Sequence, residues 1–367
     1  MTVETHNPAA LLQDGESLLT ELVRIHSPSG QERRAVMHLI DWFSRHGFTA
    51  HRDAAGNAVG VLEGPGNGGR GREILLLGHI DTVPGFPTPT IRDGKLYGRG
   101  AVDAKGPLAA FATAAALVGP RPGWRIVVAG AVEEEIVTSR GAHHLTGRRR
   151  PDLVVIGEPN GWQRVALGYK GRLLADVTLQ RRMSHTAGKA LSAAEIAFAY
   201  WEQVLARIAG LNIGRDKAWD QVQAQLRGFN SSDDGLIDTA ELRLGFRLPP
   251  HVTAEQMQAL LLAADEQAII RFSGQEIAYR GEKNTVLVRA FLAAIRAHGG
   301  EPNFVLKTGT SDMNIVGPIW GCPMLAYGPG DSSLDHTPEE HVVLAEWARG
   351  VTILAQVLRE LTGSPAG

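Results

Sequence analysis

Cysteine is nearly absent from this chain of 367 residues, in which Cys322 is the only one. Neither an intrachain disulfide framework nor a thiolate metal cluster can form within one chain, so a metal site would need imidazole nitrogens and carboxylate oxygens. Long apolar runs are also lacking, and none approaches the roughly 20 residues of a membrane span. The first residues, M-T-V-E-T-H-N-P, lack the basic start and apolar stretch of a signal peptide. These absences predict a cytoplasmic protein that does not enter a membrane.

An excess of positive charge is lacking as well, because the net charge at pH 7 is -2. This argues against general affinity for nucleic acid, although Arg148–Arg150 and the pair Arg181 and Arg182 are candidates for local basic patches or for ordinary solvated surface. The remaining composition, 44% apolar and 21% charged, is that of a soluble protein. The length suffices for two domains with a substantial core.

Strands and helices alternate in the first part of the chain. Helical periodicity spans residues 10–48, and a further helix is predicted over Pro107–Val118. Apolar strands are predicted near Ala58–Leu62, Ile74–Leu77, Arg125–Ala129 and Leu153–Ile156. Helices and strands alternate again after Gly281. This order predicts an α/β fold with a mainly parallel central sheet.

The middle of the chain has a different pattern. Residues 168–281 show alternating strands and two helical stretches in the order βαββαβ. That order is typical of a ferredoxin-like domain. The sequence therefore predicts a discontinuous first domain, residues 1–167 and 282–367, which the second domain interrupts.

Three predicted strands each end in glycine followed by possible metal ligands. Leu77 precedes G-H-I-D, Ala129 precedes G-A-V-E-E-E, and Ile156 precedes G-E-P. The carboxyl ends of parallel strands meet at one edge of a sheet, where ligands collect. The sequence therefore predicts an acidic pocket there. Its members are His79, Asp81, Glu133–Glu135 and Glu158, joined by Asp103 from the loop Y-G-R-G-A-V-D-A-K-G.

Carboxylates this close force one another to protonate unless a cation is present. A pair of divalent ions roughly 3.5–4 Å apart resolves the repulsion, with one imidazole and one carboxylate on each ion and a shared carboxylate between them. His79 alone would more often be a structural histidine paired with Asp81, but the three strand ends together favour a metal site. The second imidazole is predicted to be His336, in the polar loop after the last strand.

The motifs of this chain resemble a known family. G-H-I-D-T-V-P, Y-G-R-G-A-V-D-A-K-G, E-E-E and G-E-P, followed by G-T-S-D and L-D-H-T-P-E-E, are similar to those of the M20 family of dinuclear zinc peptidases and deacylases. The resemblance spans nearly the whole chain. It implies a zinc-peptidase catalytic domain that binds two Zn²⁺, for which Co²⁺ can substitute. It also implies that the inserted domain is a lid that mediates a homodimer.

The resemblance assigns the metal ligands residue by residue. His79 and Glu158 match the ligands of one ion, and Glu135 and His336 match those of the other. Asp103 matches the carboxylate that bridges the two ions.

Three further residues match catalytic positions of the family. Asp81 matches a carboxylate that orients His79, which would fix the tautomer of the ring. In V-E-E-E-I the family register makes Glu134 the general base, with Glu133 in place of the usual aspartate. His185, in R-M-S-H-T-A-G, matches a lid histidine that the partner subunit supplies to the oxyanion, and is otherwise an exposed loop residue.

Other residues match the pocket that holds the substrate carboxylate. These are Asn230, Arg247 in F-R-L-P-P, and the start of G-T-S-D, namely Gly309, Thr310 and Ser311. A guanidinium suits a bidentate grip on a carboxylate, although Arg247 is alternatively a strand arginine paired across the lid. The expected substrate is an N-acylated amino acid.

Within the family, the segments L-K-T-G-T-S-D-M-N and A-Y-G-P-G-D-S-S-L-D-H-T-P-E-E most resemble hydrolases that release lysine or ornithine from an amino-group carrier protein. In such a substrate the lysine α-amine forms an amide with the side-chain carboxyl of the carrier's terminal glutamate. The carrier is expected to be acidic, which makes Arg148–Arg150, Arg181 and Arg182 candidates for a basic rim. The alternative is an acetylornithine or acetyl-lysine deacetylase, which cleaves the same bond from a smaller acyl group.

Two other classes of function are weaker alternatives. A non-catalytic, metal-stabilised dimer would require the loss of a ligand or base, and every matched position is filled. A serine hydrolase would need the motif G-x-S-x-G, which G-T-S-D does not provide. The sequence therefore favours a metal-dependent amide hydrolase.

Overall fold

The structure is a computed structural model that describes residues 7–66, 71–185 and 187–363. The helices are α1 Pro8–Arg24, α2 Arg33–Arg45, α3 Lys105–Val118, α4 Arg140–Thr146, α5 Ala193–Leu211, α6 Ala254–Leu262, α7 Val286–Ala297, α8 Met313–Trp320 and α9 Leu344–Gly363. The strands are β1 Thr49–Arg52, β2 Ala58–Glu63, β3 Arg72–His79, β4 Thr90–Arg92, β5 Lys95–Tyr97, β6 Trp124–Ala131, β7 Leu153–Gly157, β8 Arg164–Tyr169, β9 Gly171–Arg182, β10 Gln223–Asp233, β11 Ile237–Leu248, β12 Ile269–Glu276, β13 Tyr279–Arg280, β14 Asn303–Lys307, β15 Met324–Ala326 and β16 His341–Val343. Within these ranges, no helix has the length and apolar character needed to span a bilayer.

A mixed sheet forms the core of the first of two compact units, which contains the chain up to Gly168, Arg280–Val305 and the residues from Ser311 onward. The strand order is β1-β2-β6-β3-β7-β15-β8-β13, with β14 paired to β8. The predicted α/β fold is confirmed, and the four central strands, β6, β3, β7 and β15, are parallel to one another. The pairs β1–β2, β2–β6 and β15–β8 are antiparallel. The turn between β1 and β2 is too short for a parallel crossover, which needs a dozen or more residues.

Helix α3 packs closely against the parallel centre of this sheet. Its residues from Lys105 to Ala115 are all buried, and many are alanines that leave little bulk between helix and strands. Gly157, beside Gly78 in the sheet, allows this approach, because a Cβ there would lie 2.9 Å from Cε2 of Phe111. Small residues in α3 and glycine in the strand therefore allow the helix to lie close to the strand ends.

The second unit comprises Tyr169–Tyr279 and Leu306–Thr310. Its elements follow the order β9, α5, β10, β11, α6, β12, and its sheet has the order β10-β11-β9-β12 with every neighbouring pair antiparallel. Alternate residues of β9 and β11 are buried in a core with α5 and α6, as the period of two along a strand requires. The short segment Leu306–Thr310, which the sequence pattern attributes to the first domain, belongs to this unit.

Candidate metal centre

The three strands that carry a glycine near their carboxyl ends lie side by side in the main sheet, with these ends aligned, as the sequence predicts. In the register of the parallel strands, Gly78 of β3 lies opposite Gly130 of β6 and opposite Gly157 of β7. His79 therefore leaves the edge beside the first residue after β7, which is Glu158. The loop that carries Glu133–Glu135 begins just after the end of β6.

Asp103 lies between two imidazoles and directs one carboxylate oxygen to each. Its Oδ1 is 3.1 Å from Nε2 of His79, and its Oδ2 is 3.0 Å from Nε2 of His336. The same His336 nitrogen is 3.1 Å from Oε2 of Glu135. Ligand atoms of His79, Asp103 and Glu135 all lie within 4.8 Å of one another. Four of the five predicted metal ligands are thus in direct contact.

The fifth ligand, Glu158, and the proposed base Glu134 belong to the same charged group. Burial raises the pKa of Glu158 well above its ordinary value, and the neighbouring Asp103 raises it further. Burial also raises the pKa of Glu134 well above its ordinary value, against the opposing effect of His79. Hydrogen bonds to Asp103 and Glu135 raise the pKa of His336 to about 10.

Burial is the main cause of the raised pKa values of Glu134 and Glu158, and repulsion from neighbouring carboxylates adds to it. A divalent cation relieves the repulsion, and nitrogen and oxygen donors of this kind suit zinc. The carboxylate of Asp103 faces both imidazoles, and its ligand atom lies near those of His79 and Glu135. The residues therefore fit a divalent metal ion.

The carboxylate of Asp81 holds the loop that follows β6. Its Oδ1 accepts a hydrogen bond from the amide of Glu134 and its Oδ2 from the amide of Glu135, both at 3.0 Å. The hydroxyl of Ser29 donates to Oδ2 at 2.6 Å. The nearer partner of His79 Nδ1 is the carbonyl oxygen of Asp81, at 3.1 Å, since its Oδ1 is 3.6 Å away. Asp81 thus positions the loop as well as the imidazole.

Glu133 points away from the metal ligands. Its carboxylate forms an ion pair with Arg140 at 2.8 Å and accepts a hydrogen bond from Thr138 at 2.7 Å. Its backbone has a φ of 61°, in the left-handed region, and its amide donates to the buried carboxylate of Glu32 at 3.2 Å. This reversal of the chain separates Glu133 from the two glutamates that follow it.

A buried ion pair between Arg99 and Glu340 connects the loops that carry Asp103 and His336. Nη1 of Arg99 is 2.6 Å from Oε2 of Glu340. The other oxygen of Glu340 accepts hydrogen bonds from the amides of Val102 and Asp103, at 3.0 and 3.1 Å. Nη2 of Arg99 donates to the carbonyl oxygen of His336 at 3.3 Å, and His336 has a φ of 63°.

Sequence reasoning did not identify this pair. Both residues stand inside motifs that it used, Arg99 in Y-G-R-G-A-V-D and Glu340 in H-T-P-E-E. The available signal was that Arg99 and Glu340 have opposite charges and each lies a few residues from a predicted ligand, Asp103 or His336.

The predicted substrate residues fall into separate places. In the second unit, Nη1 of Arg247 donates to Oγ1 of Thr310 at 3.0 Å, next to Gly309. In the first unit, Ser311 accepts a hydrogen bond on its hydroxyl from the amide of Met313 at 3.2 Å, at the start of α8.

Asn230 does not lie beside Arg247 within one chain. It stands opposite Glu241 in the register of β10 and β11, six residues along β11 from Arg247. At about 3.3 Å per residue the separation is about 20 Å. Within one chain, Asn230 and Arg247 therefore do not line the same small pocket.

His185 lies beyond the end of β9 and is exposed. Its Nδ1 accepts a hydrogen bond from the amide of Ala187 at 3.1 Å. In a neutral ring this favours the tautomer with its proton on Nε2, which leaves that nitrogen as a donor.

The first arginine cluster does not lie at the ligand edge. Arg148 pairs at 2.9 Å with the buried Glu73, which is six residues, or about 20 Å, from His79 along β3. Arg150 donates to the carbonyl oxygen of Gly321, which precedes β15. Helix α4 returns the chain to the start of β7, at the opposite edge of the sheet. The prediction that Arg148–Arg150 form a basic rim at the cleft is therefore wrong.

A model of peptidase family M20/M25/M40 matches residues 75–360. The chain belongs to this family. A LysW-lysine hydrolase from Deinococcus radiodurans is 44% identical over 364 residues, which cover 97% of this chain and 99% of that one. A LysW-lysine/LysW-ornithine hydrolase from Sulfurisphaera tokodaii is 29% identical over 354 residues, which cover 94% and 95% of the two chains.

Two solved structures have the same fold. An M20 family metallo-carboxypeptidase from Sulfolobus solfataricus matches with a TM-score of 0.77 at 18% identity, over 96% of this chain and all of that one. A tripeptidase from Staphylococcus aureus matches with a TM-score of 0.78 at 18% identity, over 96% and 99%. The protein is therefore an M20 hydrolase with a candidate metal site at the edge of its parallel strands.

Proposed function

We propose that this protein is a metal-dependent amide hydrolase that releases lysine, ornithine or both from an amino-group carrier protein. The observation that carries the proposal is Asp103, whose two oxygens each face an imidazole within 3.1 Å. The choice of substrate is supported by relatives named LysW-lysine and LysW-ornithine hydrolases, which match this chain over almost its whole length.

Two Zn²⁺ ions, or Co²⁺ in their place, would be held by the clustered side chains. His79 and Glu158 would hold one ion, Glu135 and His336 the other, and Asp103 both. When bound, such a pair polarises the scissile carbonyl and lowers the pKa of water towards about 7.

Glu134 would move the proton. It accepts a proton from the attacking water and donates it to the leaving amine, so that the amide C–N bond breaks and lysine leaves with a neutral α-amine. A general base works best with a pKa near the working pH, and burial raises the pKa of Glu134 towards that range. The hydrogen bond from its amide to Asp81 keeps it in place.

His185 and Asn230 would act on the active site of the partner in a homodimer. The separation of about 20 Å between Asn230 and Arg247 supports this, because one small group cannot contact both within a single chain. Arg247, with Gly309, Thr310 and Ser311, would bind the carboxylate of the released amino acid. Nε2 of His185 would donate to the oxyanion.

The proposal is tested by comparing three substrates under identical conditions. Purified protein is assayed with lysine-loaded carrier, acetyl-lysine and acetylornithine, and kcat/KM is measured for each. The loaded carrier should give the largest value. A larger value for either acetylated amino acid would identify the protein as a deacetylase instead.

A further inference from the structure

The four-stranded sheet of the second unit has one face covered by α5 and α6 and an opposite, open face. Residues alternate between the two faces along each strand. Arg243 in β11 and Arg271 in β12 stand on the open face, on either side of Asp176 in the intervening strand β9. Arg227, at the β-bulge in β10, extends over Gly245 on this same face. All three arginines are exposed.

The guanidinium groups of these three arginines form no ion pair and no hydrogen bond with any residue in the described part of the chain. By contrast, Arg172 on the same face forms an ion pair with Glu276 at 3.4 Å. Glycines make room for two of the three. A Cβ at Gly228 would lie 2.7 Å from Nε of Arg243, and one at Gly245 would lie 2.8 Å from Cδ of Arg227. The two side chains therefore lie along the sheet, with their charge available to a partner.

The arginines occupy the stretch between two proposed substrate residues. Arg247 lies on the same face, toward one end of β11, and Asn230 lies opposite Glu241, toward the other. A small acylated amino acid held at Arg247 does not extend along the roughly 20 Å between them. A substrate that uses this stretch must be a larger molecule.

We infer that the open face docks the carrier protein, whose acidic side chains contact Arg227, Arg243 and Arg271. This inference rests on the proposed function. Asp176 and Glu241 line the same groove of about 470 Å³ as Arg243 and Arg271. Carboxylates among the arginines suit a protein surface of mixed charge with an acidic excess, and they repel a continuous phosphate backbone. Exposed charges of this kind act mainly on encounter and weaken as salt screens them.

The test compares a large and a small substrate that contain the same amide. The large one is lysine-loaded carrier, and the small one is a dipeptide in which the lysine α-amine is bonded to the glutamate side-chain carboxyl. In the variant Arg227→Gln/Arg243→Gln/Arg271→Gln, KM for loaded carrier should rise about tenfold with kcat unchanged, and should depend less on salt. Turnover of the dipeptide should not change. Binding of unloaded carrier, measured by calorimetry, should weaken by a similar factor.

A matched control removes the same charge elsewhere. The variant Arg215→Gln/Arg289→Gln/Arg359→Gln loses three exposed arginines outside the open face, and it should behave as the wild type. If the first variant does not fold, as judged by circular dichroism, its three single substitutions provide the same comparison with smaller effects, about twofold to threefold each.

The outcomes separate this inference from the proposed function. Equal losses for carrier and dipeptide, or equal losses in variant and control, would overturn the docking surface while the proposed function stands. Failure of the wild type to hydrolyse loaded carrier would overturn both. Binding of an oligonucleotide as tightly as the carrier, and its loss in the same variant, would replace the carrier with nucleic acid as the occupant.

Discussion

His79 ends β3 and Glu158 follows β7, two paired strands of the main sheet, whereas Asp103 and His336 stand in loops. The backbone hydrogen bonds of the parallel ladder position the first pair. The second pair depends on side chains, above all on Arg99 and Glu340. The comparison teaches that one side of the metal centre is built by backbone pairing and the other by a buried ion pair.

Metal removal should have the largest effect and should separate the two sides. Dialysis against a chelator should release close to two divalent ions per chain and abolish activity, since the bound pair would activate both water and carbonyl. Amide hydrogen exchange should then accelerate in the loops at residues 99–104 and 332–340, but not in β3 or β7. Full activity of a rigorously metal-free sample would disprove the metal proposal. Uniform acceleration of exchange would remove the distinction between the two sides.

Two adjacent substitutions should separate proton transfer from metal binding. Glu134→Gln should retain both ions and lose about 10²- to 10⁴-fold in kcat, the usual contribution of a general base. Glu135→Gln should lose one ion. Metal analysis and steady-state kinetics on the two variants provide the measurement, and each variant serves as the control for the other. The opposite result would mean that the register through V-E-E-E is shifted by one residue.

The same Glu134→Gln chain also tests the role of His185. Mixed with inactive His185→Ala chains and allowed to exchange subunits, it should recover activity, because a mixed dimer contains one intact site. Exchange is followed separately with labelled chains. No recovery despite exchange would place His185 in the site of its own chain or outside catalysis.

Substitution of Arg99 should have a smaller effect, confined to the loop side. Arg99→Gln should weaken the binding of one ion by about 10- to 100-fold, which is typical when a residue that orients a ligand is lost. The matched control is Arg148→Gln, which removes a half-buried arginine from the buried Glu73 in the same unit, at the opposite end of the parallel strands. Both variants should lose stability, measured as Tm, but only the first should lose metal affinity. Equal metal affinity in the two variants would limit the Arg99–Glu340 pair to a structural role.

The strand-end side of the centre could be predicted from the sequence because its signals are local. An apolar run predicts each strand, a glycine marks its end, and the predicted ligand follows within a few residues, as at Leu77, Gly78 and His79. On the loop side, the sequence predicted the ligands Asp103 and His336 but not the contacts that hold their loops. Strand β5 pairs with β16, so Leu96 meets Val342. Strands of three residues joined over such a distance carry no periodic pattern that predicts their pairing.

The arginines show the same limit for charged residues. A cluster in the sequence predicts a basic surface, but Arg148 is held by Glu73 and Arg181 by Asp265. By contrast, Arg227, Arg243 and Arg271, for which the described residues provide no ion pair, are distributed over three strands. Only the strand register brings them together.

The Arg99–Glu340 pair joins residues that are made far apart in time. During synthesis the ribosome releases His79, Asp103 and Glu158 well before His336 and Glu340. A nascent or truncated chain that ends before them can form the strand-end side of the centre but lacks both the second imidazole and the partner that holds the loop of Asp103. Completion of the metal centre would therefore wait for the synthesis of residues 336–340, and a product terminated before them would lack part of the proposed ligand set.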